Sequence, residues 1–558
     1  MRLPEKWLER AMFYDEMIQH CLASQAERRD RNRVQRQYYM YGTGPEMQQN
    51  AVFNYIYPLI DQLCAFIFST ETTRFSAEFP GHVSPEEHAK GPAIAKAVHD
   101  EWLRSNGDIM FQLALKKGHV FGSSFLKLRA KTDEGLLTVE PFIIDPGDIG
   151  VLREDLPGLH RQEAFVHTYE ITLSQLINEL EECGHPNVHE IATQVSAYAR
   201  APRNAGSGMD RVITSASNPM IVGNLDFSLN VVDRYRPKVE APTASMRELY
   251  IWDDALADYR VVTVAEPAMV IWDRPIKRMW TPHEVPFIQI CPNPSDDYFY
   301  GIADCERLIG LQQMLNDRCS QIQHLLNLHA RQPKAFSGFP GVVDEMAFAT
   351  DSPGGYVQSD MPGAKVDMLA PELPDDLFKE VNRIVQMMEE TVGISNVMQG
   401  KGETGVRSTG HASQLLRVGA SRVKQRALVV EDDLENVATK YWEAIRRFST
   451  KQIAEEAKDG VRFLPAQAPR DIQIKVDAHS NSPIFVEDNR QLVFDLLKMQ
   501  IIDKSEALDL LDLPQRQYLK SRLEKVIQPA LEAQAAAAAQ AQQPKPPGRP
   551  RLVTPPGG

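Results

Sequence analysis

Residues 302–332 read IADCERLIGLQQMLNDRCSQIQHLLNLHARQ, with no proline and one glycine, Gly310. Leu308, Leu311, Leu315, Cys319, Ile322 and Leu326 recur at spacings of three and four, the period of one helix face. A helix over this span is about 45 Å long at ~1.5 Å per residue, far above the mean helix length. Such a rod cannot bury its own apolar stripe. It must be the spine of a domain or part of a bundle, and the flanking segments must supply its partners.

Those partners are legible in outline. Residues 332–374 are rich in Pro and Gly, with short β-like pieces, and read as a small excursion. A second helix is predicted over 375–392, with Asp375 and Asp376 where the helix dipole favours carboxylates and Gly393 placed as a C-cap glycine. A Gly-rich stretch, GKGETGVRSTGHASQ (400–414), leads into a further long helix from about Thr409 to Thr450. Upstream, residues 1–40 read as helix carrying the basic run ERRDRNRVQR (27–36), expected either as a solvated face or as a nucleic-acid or partner contact. Residues 51–68 read as a buried helix or two. Residues 91–142 read as two helices and a hairpin turning at Asp133-Glu134-Gly135. ELYIW (248–252) and YRVVTV (259–264) form a second hairpin, so 41–295 is a mixed α+β region. DIQIKVDAH (471–479) alternates like a strand, 485–534 reads as short helices, and 535–558 is low-complexity and reads as disordered. The fold class is α+β, predominantly helical.

Charge bears on partners. The net charge is −14, the wrong sign for a protein that grips nucleic acid through phosphate neutralisation. An acidic chain that meets DNA lets it slide or touches it locally. The six cysteines are scattered with no C-x-x-C pair, which points to a reduced compartment and away from a metal site. The first residues lack an apolar signal-peptide core, and 51–68 carries Asn54, Pro58, Asp61 and Gln62, so no membrane span is expected. The compartment expected is the cytoplasm, or an assembly built there.

Gly400 and Gly405 have the G-x-x-x-x-G spacing of a phosphate-binding loop. Such a loop needs Lys and then Ser or Thr after the second glycine, the Lys to reach the terminal phosphates and the hydroxyl to hold Mg²⁺. Here Val406 and Arg407 stand there, and the lead-in is a helix instead of a buried strand. The glycines suit a flexible loop between two helices. His185 and His189 have Pro186 between them, and His324 and His329, five apart, point about 140° from each other on a helix. The acidic pairs Asp296/Asp297 and Glu389/Glu390 read as a loop and a helix surface. No cofactor, no metal and no catalytic residue is expected.

The order of parts, more than any one motif, resembles the portal (head–tail connector) family of tailed bacteriophages, in particular that of short-tailed phages. The carrying stretches are VPFIQICPNPSDDYFYGIADCERLIGLQQMLNDRCSQ (285–321), ETVGISNVMQGKGETGVRSTGHASQLLRVGASRVKQ (390–425) and FQLALKKGHVFGSSFLKL (111–128). The resemblance implies a wing over 1–295, a first stem helix over 296–331, a clip over 332–372 and a second stem helix over 373–392. It further implies a tunnel loop over 393–409, a long wing helix and strand over 410–480, and a helical crown over 481–534. It implies a dodecameric ring at one capsid vertex, in the virion and assembled in the host cytoplasm, through which double-stranded DNA is packaged and ejected. The implied partners are other copies of the chain, the terminase large subunit, a head–tail adaptor, and the capsid or scaffolding protein. Lys401 and Arg407, flexed by Gly400 and Gly405, would touch DNA. Asp375, Asp376, Glu380, Glu389 and Glu390, against Lys379 and Arg383, would line an acidic channel. Lys334, Phe336 and Lys365 would meet partners at the clip. An NTP-dependent enzyme using 400–410 and another virion structural component are the alternatives.

Overall fold

The structure is a computed structural model describing residues 3–4, 6–44, 51–68, 73–79, 85–88, 90–133, 136–182, 184–198, 243–266, 268–330, 334–337, 362–368, 374–394, 421–454, 462–469, 472–476, 493–494, 496–499 and 507. The chain divides into two compact units, Met1–Pro483 and Ile484–Gly558. Only short helical pieces of the second unit are described, with Val493 and Ala507 buried, so the expected crown and tail lie almost wholly outside the described residues.

The first unit is built around an antiparallel five-stranded sheet, ordered β4 (Ile149–Val151), β5 (Ala164–Thr172), β6 (Thr243–Asp253), β7 (Asp258–Ala265) and β8 (Met269–Pro275). The β6–β7 hairpin is the one expected from the sequence, closed at the Asp253↔Asp258 pair. Alternation along the strands sends Ala164, Val166, Leu249 and Ile251 to one face, where α1 (Trp7–Cys21) covers them with Tyr14, Met17 and Ile18. The opposite face carries Phe165, stacked on Tyr250 at 4.7 Å, with Phe287 set edge-on to both. Phe287 belongs to β9 (Phe287–Ile290), part of a three-stranded sheet with β2 (Ser124–Asp133) and β3 (Leu136–Ile144). A buried ion pair joins the two sheets: Lys127 Nζ lies 2.5 Å from Glu248 Oε2, with His167 Nδ1 at 3.6 Å. Burial opposes the charge on Glu248, but the Lys127 ammonium and His167 outweigh it and hold the carboxyl well below its usual range.

Residues 1–40 form two helices where one was expected, because the chain turns at 22–24 before α2 (Gln25–Tyr41). The basic run on α2 is a solvated face, with Arg29, Arg31, Arg33 and Arg36 exposed, but most of its charge is paired within the chain. Arg28 is buried, with its guanidinium 3.9 Å from the Tyr300 ring centroid and 3.3 Å from Glu154. Arg29 pairs with Asp148 at 2.8 Å, Arg31 with Glu306 at 2.9 Å and Arg36 with Asp145 at 2.7 Å. These arginines dock the helix onto its own chain.

A second aromatic core lies under α3 (Ile56–Ile67), α5 (Gly91–Arg104) and α6 (Gly107–Phe121), the short helix α4 (Pro85–His88) falling between α3 and α5 in the chain. Trp102 meets Phe111 at 6.4 Å and Tyr441 at 5.5 Å, and Ser105 Oγ hydrogen-bonds Tyr441 at 2.8 Å. The helices α7 (Leu173–Glu182) and α8 (Val188–Ser196) pack Leu176, Leu180, Ile191 and Val195 beside the large sheet. Three longer helices follow: α9 (Asp304–Ala330), α10 (Asp375–Val392) and α11 (Ser421–Phe448). Between the first two, β10 (Lys334–Ser337) pairs with β11 (Lys365–Met368). Past α11, β12 (Ile453–Ala454) pairs with β13 (Arg462–Phe463), and β14 (Gln473–Val476) returns to pair with β1 (Phe75–Glu78).

The entry to α9 is set by two glycines in close contact. Gly122 has φ +95°, and a Cβ there would lie 2.7 Å from the Tyr300 carbonyl; Gly301 has φ +66° and would press on Cys291 and, at 2.8 Å, on the Asn293 carbonyl. Gly310, within α9, has open space around it. Gly122→Ala is therefore expected to destabilise by at least ~2 kcal/mol through strain and overlap, while Gly310→Ala gains about 0.5–1 kcal/mol. Urea unfolding followed by circular dichroism checks both directions.

Candidate functional site

Helices α9 and α10 form a pair whose two ends differ in burial. Near the start of α9, Cys305, Leu308 and Leu315 are buried; along the rest of the stripe Leu311, Cys319 and Ile322 are half-buried and Leu326 is 43% exposed. On α10 the order is reversed: Phe378 is 46% exposed, while Ile384, Met388 and Val392 are buried. The pair is thus embedded where α9 begins and α10 ends, and exposed where the β10–β11 ribbon joins them. Tyr55 fixes their level. Its backbone N–H donates to Gln312 Oε1 at 3.1 Å and its hydroxyl donates to Glu389 at 2.5 Å.

The embedded half of α9 is held by polar groups as well as apolar ones. Gln312 and Asn316 are fully buried and serve the extended segment before α3 as a strand would. Gln312 Nε2 donates to the Phe53 carbonyl at 2.7 Å, Asn316 Oδ1 accepts from the Phe53 N–H at 3.3 Å, and Asn316 Nδ2 donates to the Gly42 carbonyl at 2.7 Å. Every one of these backbone groups is buried or half-buried and needs a partner.

Asp304, the first residue of α9, is the junction, with its side chain 1% exposed. Its Oδ2 meets His119 Nδ1 at 2.7 Å and accepts from Asn293 Nδ2 at 2.8 Å, and Arg426 Nη2 lies 3.1 Å from Oδ1. Burial would raise its pKa, but the His119 contact, the Arg426 charge and the Asn293 bond together hold it below the usual carboxylate range. Arg426 also donates to the Val392 carbonyl at 3.0 Å, and Arg422 to the Glu390 carbonyl at 3.3 Å. Helix α11 thereby gives the Val392 carbonyl a partner and adds a second one to the Glu390 carbonyl, which already accepts the Gly393 N–H at 3.2 Å. Gly393 closes α10 in the left-handed region, φ +89°, as its placement in the sequence implied. Two turns along α11, half-buried Asp433 accepts the Cys291 N–H at 3.0 Å; desolvation raises its pKa to about 8, the N–H opposes this and neighbouring Asp432 adds to it. Sequence reasoning missed this cluster, since residues 119, 293, 304 and 426 share no local spacing.

The acids expected to line a channel divide. Asp376 is exposed and 2.9 Å from Lys379, Glu380 lies 3.8 Å from Arg383, and Glu390 is exposed beside Gln386. Asp375 is the first residue of α10. Glu389 is the exception. It is 3% exposed and bonded to Tyr55, one helical step of about 100° round from Glu390, so it faces the body and not the outer surface. At the ribbon, Lys334 pairs with Met368, Phe336 with Val366 and Lys365 with Ser337, with Lys365 exposed. Gly400, Lys401, Gly405 and Arg407 lie outside the described residues. His185 reaches the Ile271 carbonyl at 3.3 Å and lies edge-on to Trp272. Among the described residues no group of three His, Cys, Asp or Glu could hold a metal, and no helix is long and apolar enough to cross a membrane.

Residues 125–481 match the sequence profile described as phage SU10 portal protein, a stretch holding α9, the ribbon, α10 and α11. Among solved structures, one similar chain comes from the virion of a native gene transfer agent particle, at 12% identity and TM-score 0.40 over 87% of this chain and 94% of that one. Another comes from the neck of a native gene transfer agent particle computed with C12 symmetry, at 11% identity and TM-score 0.41 over the same shares. No curated protein matches.

Asp304 and Asp433 give opposite pH dependences. Asp304, with its depressed pKa, stabilises the fold above its unfolded value of about 3.9, and that contribution is lost as pH falls through the folded value. Asp433, raised to about 8, favours the fold fully only below about pH 4, and its contribution declines until pH passes 8. Asp433→Asn is expected to remove the decline between pH 4 and 8 and to be the more stable protein at pH 8. Asp304→Asn leaves Arg426 buried without a counter-charge and costs about 3–5 kcal/mol at pH 7. Unfolding midpoints measured from pH 3 to 9 separate the two effects.

Proposed function

This chain belongs to the phage SU10 portal protein family, and from that membership we propose that it forms a closed ring, of twelve copies, that serves as the DNA channel of a virion. The family match carries the proposal. The stem pair supports it: two helices anchored at one end by buried charge, exposed at the other, and bearing acids on the outer surface of α10. In this reading 1–295 is the wing, 296–331 and 373–392 the stem, 332–372 the clip, 393–409 the tunnel loop, 410–480 the long wing helix and strand, and 481–534 the crown.

A ring needs a head-to-tail contact that closes on itself, and the half-exposed apolar stripe of α9 offers part of one. Asp376, Glu380 and Glu390 repeated around the ring make a surface that repels phosphate, so that DNA passes without sticking. Lys401 and Arg407 add local contacts from the loop. The ribbon with Lys334, Phe336 and Lys365 docks the terminase during packaging and the head–tail adaptor afterwards. The protein performs no reaction of its own; packaging ATP is hydrolysed by the motor. The 400–410 loop lacks the Lys–hydroxyl pair that a nucleotide site would need.

Mass photometry and negative-stain imaging of the purified chain are expected to show twelve-fold rings with a central hole; a monomer at every concentration and salt condition overturns the reading. The triple variant Asp376→Lys, Glu380→Lys, Glu390→Lys is expected to keep the ring and to slow packaging of DNA in a reconstituted motor assay several-fold. An unchanged rate removes the acids from the channel surface.

A further inference from the structure

The last turn of α11 and the single turn Ile276–Arg278 after β8 lie against each other: Arg447 Nη2 donates to the Lys277 carbonyl, and the Trp280 and Phe448 rings are 6.2 Å apart. This contact gathers Lys277, Arg278, Arg447 and Lys451, all exposed. None of the four forms a salt bridge with another described residue, although the chain as a whole is acidic by 14 charges. Lys440, two turns back on α11, pairs with Glu284 and with Glu443 (3.4 Å). Arg446 stands beside Arg447 and repels it, with Asp258 the acid that acts on Arg447 in the other direction.

We propose that this patch, formed by Lys277, Arg278, Arg447 and Lys451, is a contact for the phosphate backbone of double-stranded nucleic acid, separate from the stem. Arg447 lies about 30 Å along α11 from Arg426 and the junction, so the patch is no extension of the stem surface. Its composition selects the partner class. Protein interfaces centre on exposed aromatic or aliphatic anchors. No large hydrophobic residue is exposed from 257 to 301 or from 429 to 463 among the described residues, and Trp280 is buried beneath the patch. A surface of unpaired cations with no apolar anchor suits backbone contact, which positions a duplex without reading its sequence. Lysine and arginine stems on the rim leave the charges mobile, so binding is weak and depends on counterion release.

The inference depends on this patch and not on ring number. The test is fluorescence anisotropy of the full chain with a 30-base-pair duplex over a series of salt concentrations, with mass photometry recording the assembly state in parallel. Lys277→Gln, Arg278→Gln, Lys451→Gln together are expected to weaken binding at low salt at least tenfold and to lower the slope of log K against log salt by roughly 3. Lys277→Arg, Arg278→Lys, Lys451→Arg is expected to keep both, which separates charge from folding. Unchanged affinity and slope in the glutamine variant overturn the proposal, as does absence of duplex binding by the unaltered chain at low salt. Equal competition by poly-glutamate at matched charge overturns it in favour of an acidic protein. Loss of rings with duplex binding intact counts against the channel reading alone.

Discussion

One buried carboxylate sets the orientation of the α9–α10 pair. Asp304 begins α9, and its charge is tolerated because His119, Asn293 and Arg426 all reach it. An ionised group at this depth costs several kcal/mol of desolvation, offset only when its partners are in place together. Those partners come from α6, from the loop before α9, and from α11. The junction therefore forms as a unit or not at all. Arg426 extends the same logic to the second helix, since the guanidinium that meets Asp304 also caps α10 at Val392. A 27-residue helix is a lever of about 40 Å, so a small tilt at Asp304 moves its far end by several ångströms. Charge pairing fixes such an angle more sharply than apolar contact, which tolerates sliding.

The rest of the embedded half follows from that fixed start. Once α9 leaves the junction, Gln312 and Asn316 meet the chain between α2 and α3 before any solvent does. Leucine at those positions would leave the Gly42 and Phe53 backbone groups unpaired. The side-chain amides stand in for a neighbouring strand, and so a helix can serve an extended segment along its length. Beyond Ser320 these bonds end, the body falls away, and the apolar stripe passes to the surface. An isolated chain would not keep half-exposed leucines along a rod without something to cover them, which agrees with assembly among copies.

Periodicity made the rods and hairpins legible, because they depend on neighbours three, four or two residues away. The bounds of α9 and α10, the Gly393 cap and the turn of β6–β7 were all visible for that reason. The large sheet was less so. Short turns join β6 to β7 and β7 to β8, while β5 reaches β6 across a long connection that no local pattern marks. The basic run on α2 is exposed as expected, but its pairing was not legible for a related reason. Its charge was plain, but the acids that absorb it, Asp145, Asp148, Glu154 and Glu306, are more than a hundred residues away. Glu389 and Glu390 look alike in sequence, and one helical step places the first against Tyr55 and the second in solvent. The junction at Asp304 was invisible for the same cause: each of its contacts is long-range.

The net charge of the chain hides a segregation that matters more than its sum. On α2, Arg28 is buried, and the exposed Arg29, Arg31, Arg33 and Arg36 each have an acid of the same chain as partner. On α10 the acids Asp376 and Glu390 are exposed. At the other end of α11 the exposed Arg447 and Lys451 are basic, while Lys440 pairs with Glu284 and Glu443. A conduit needs the first property along its passage and can use the second only away from it, since cations lining the passage would arrest what moves through. Helix α11 is the element that keeps the two apart: its first turns clamp the stem and its last turn carries the exposed cations, with a buried aromatic core between.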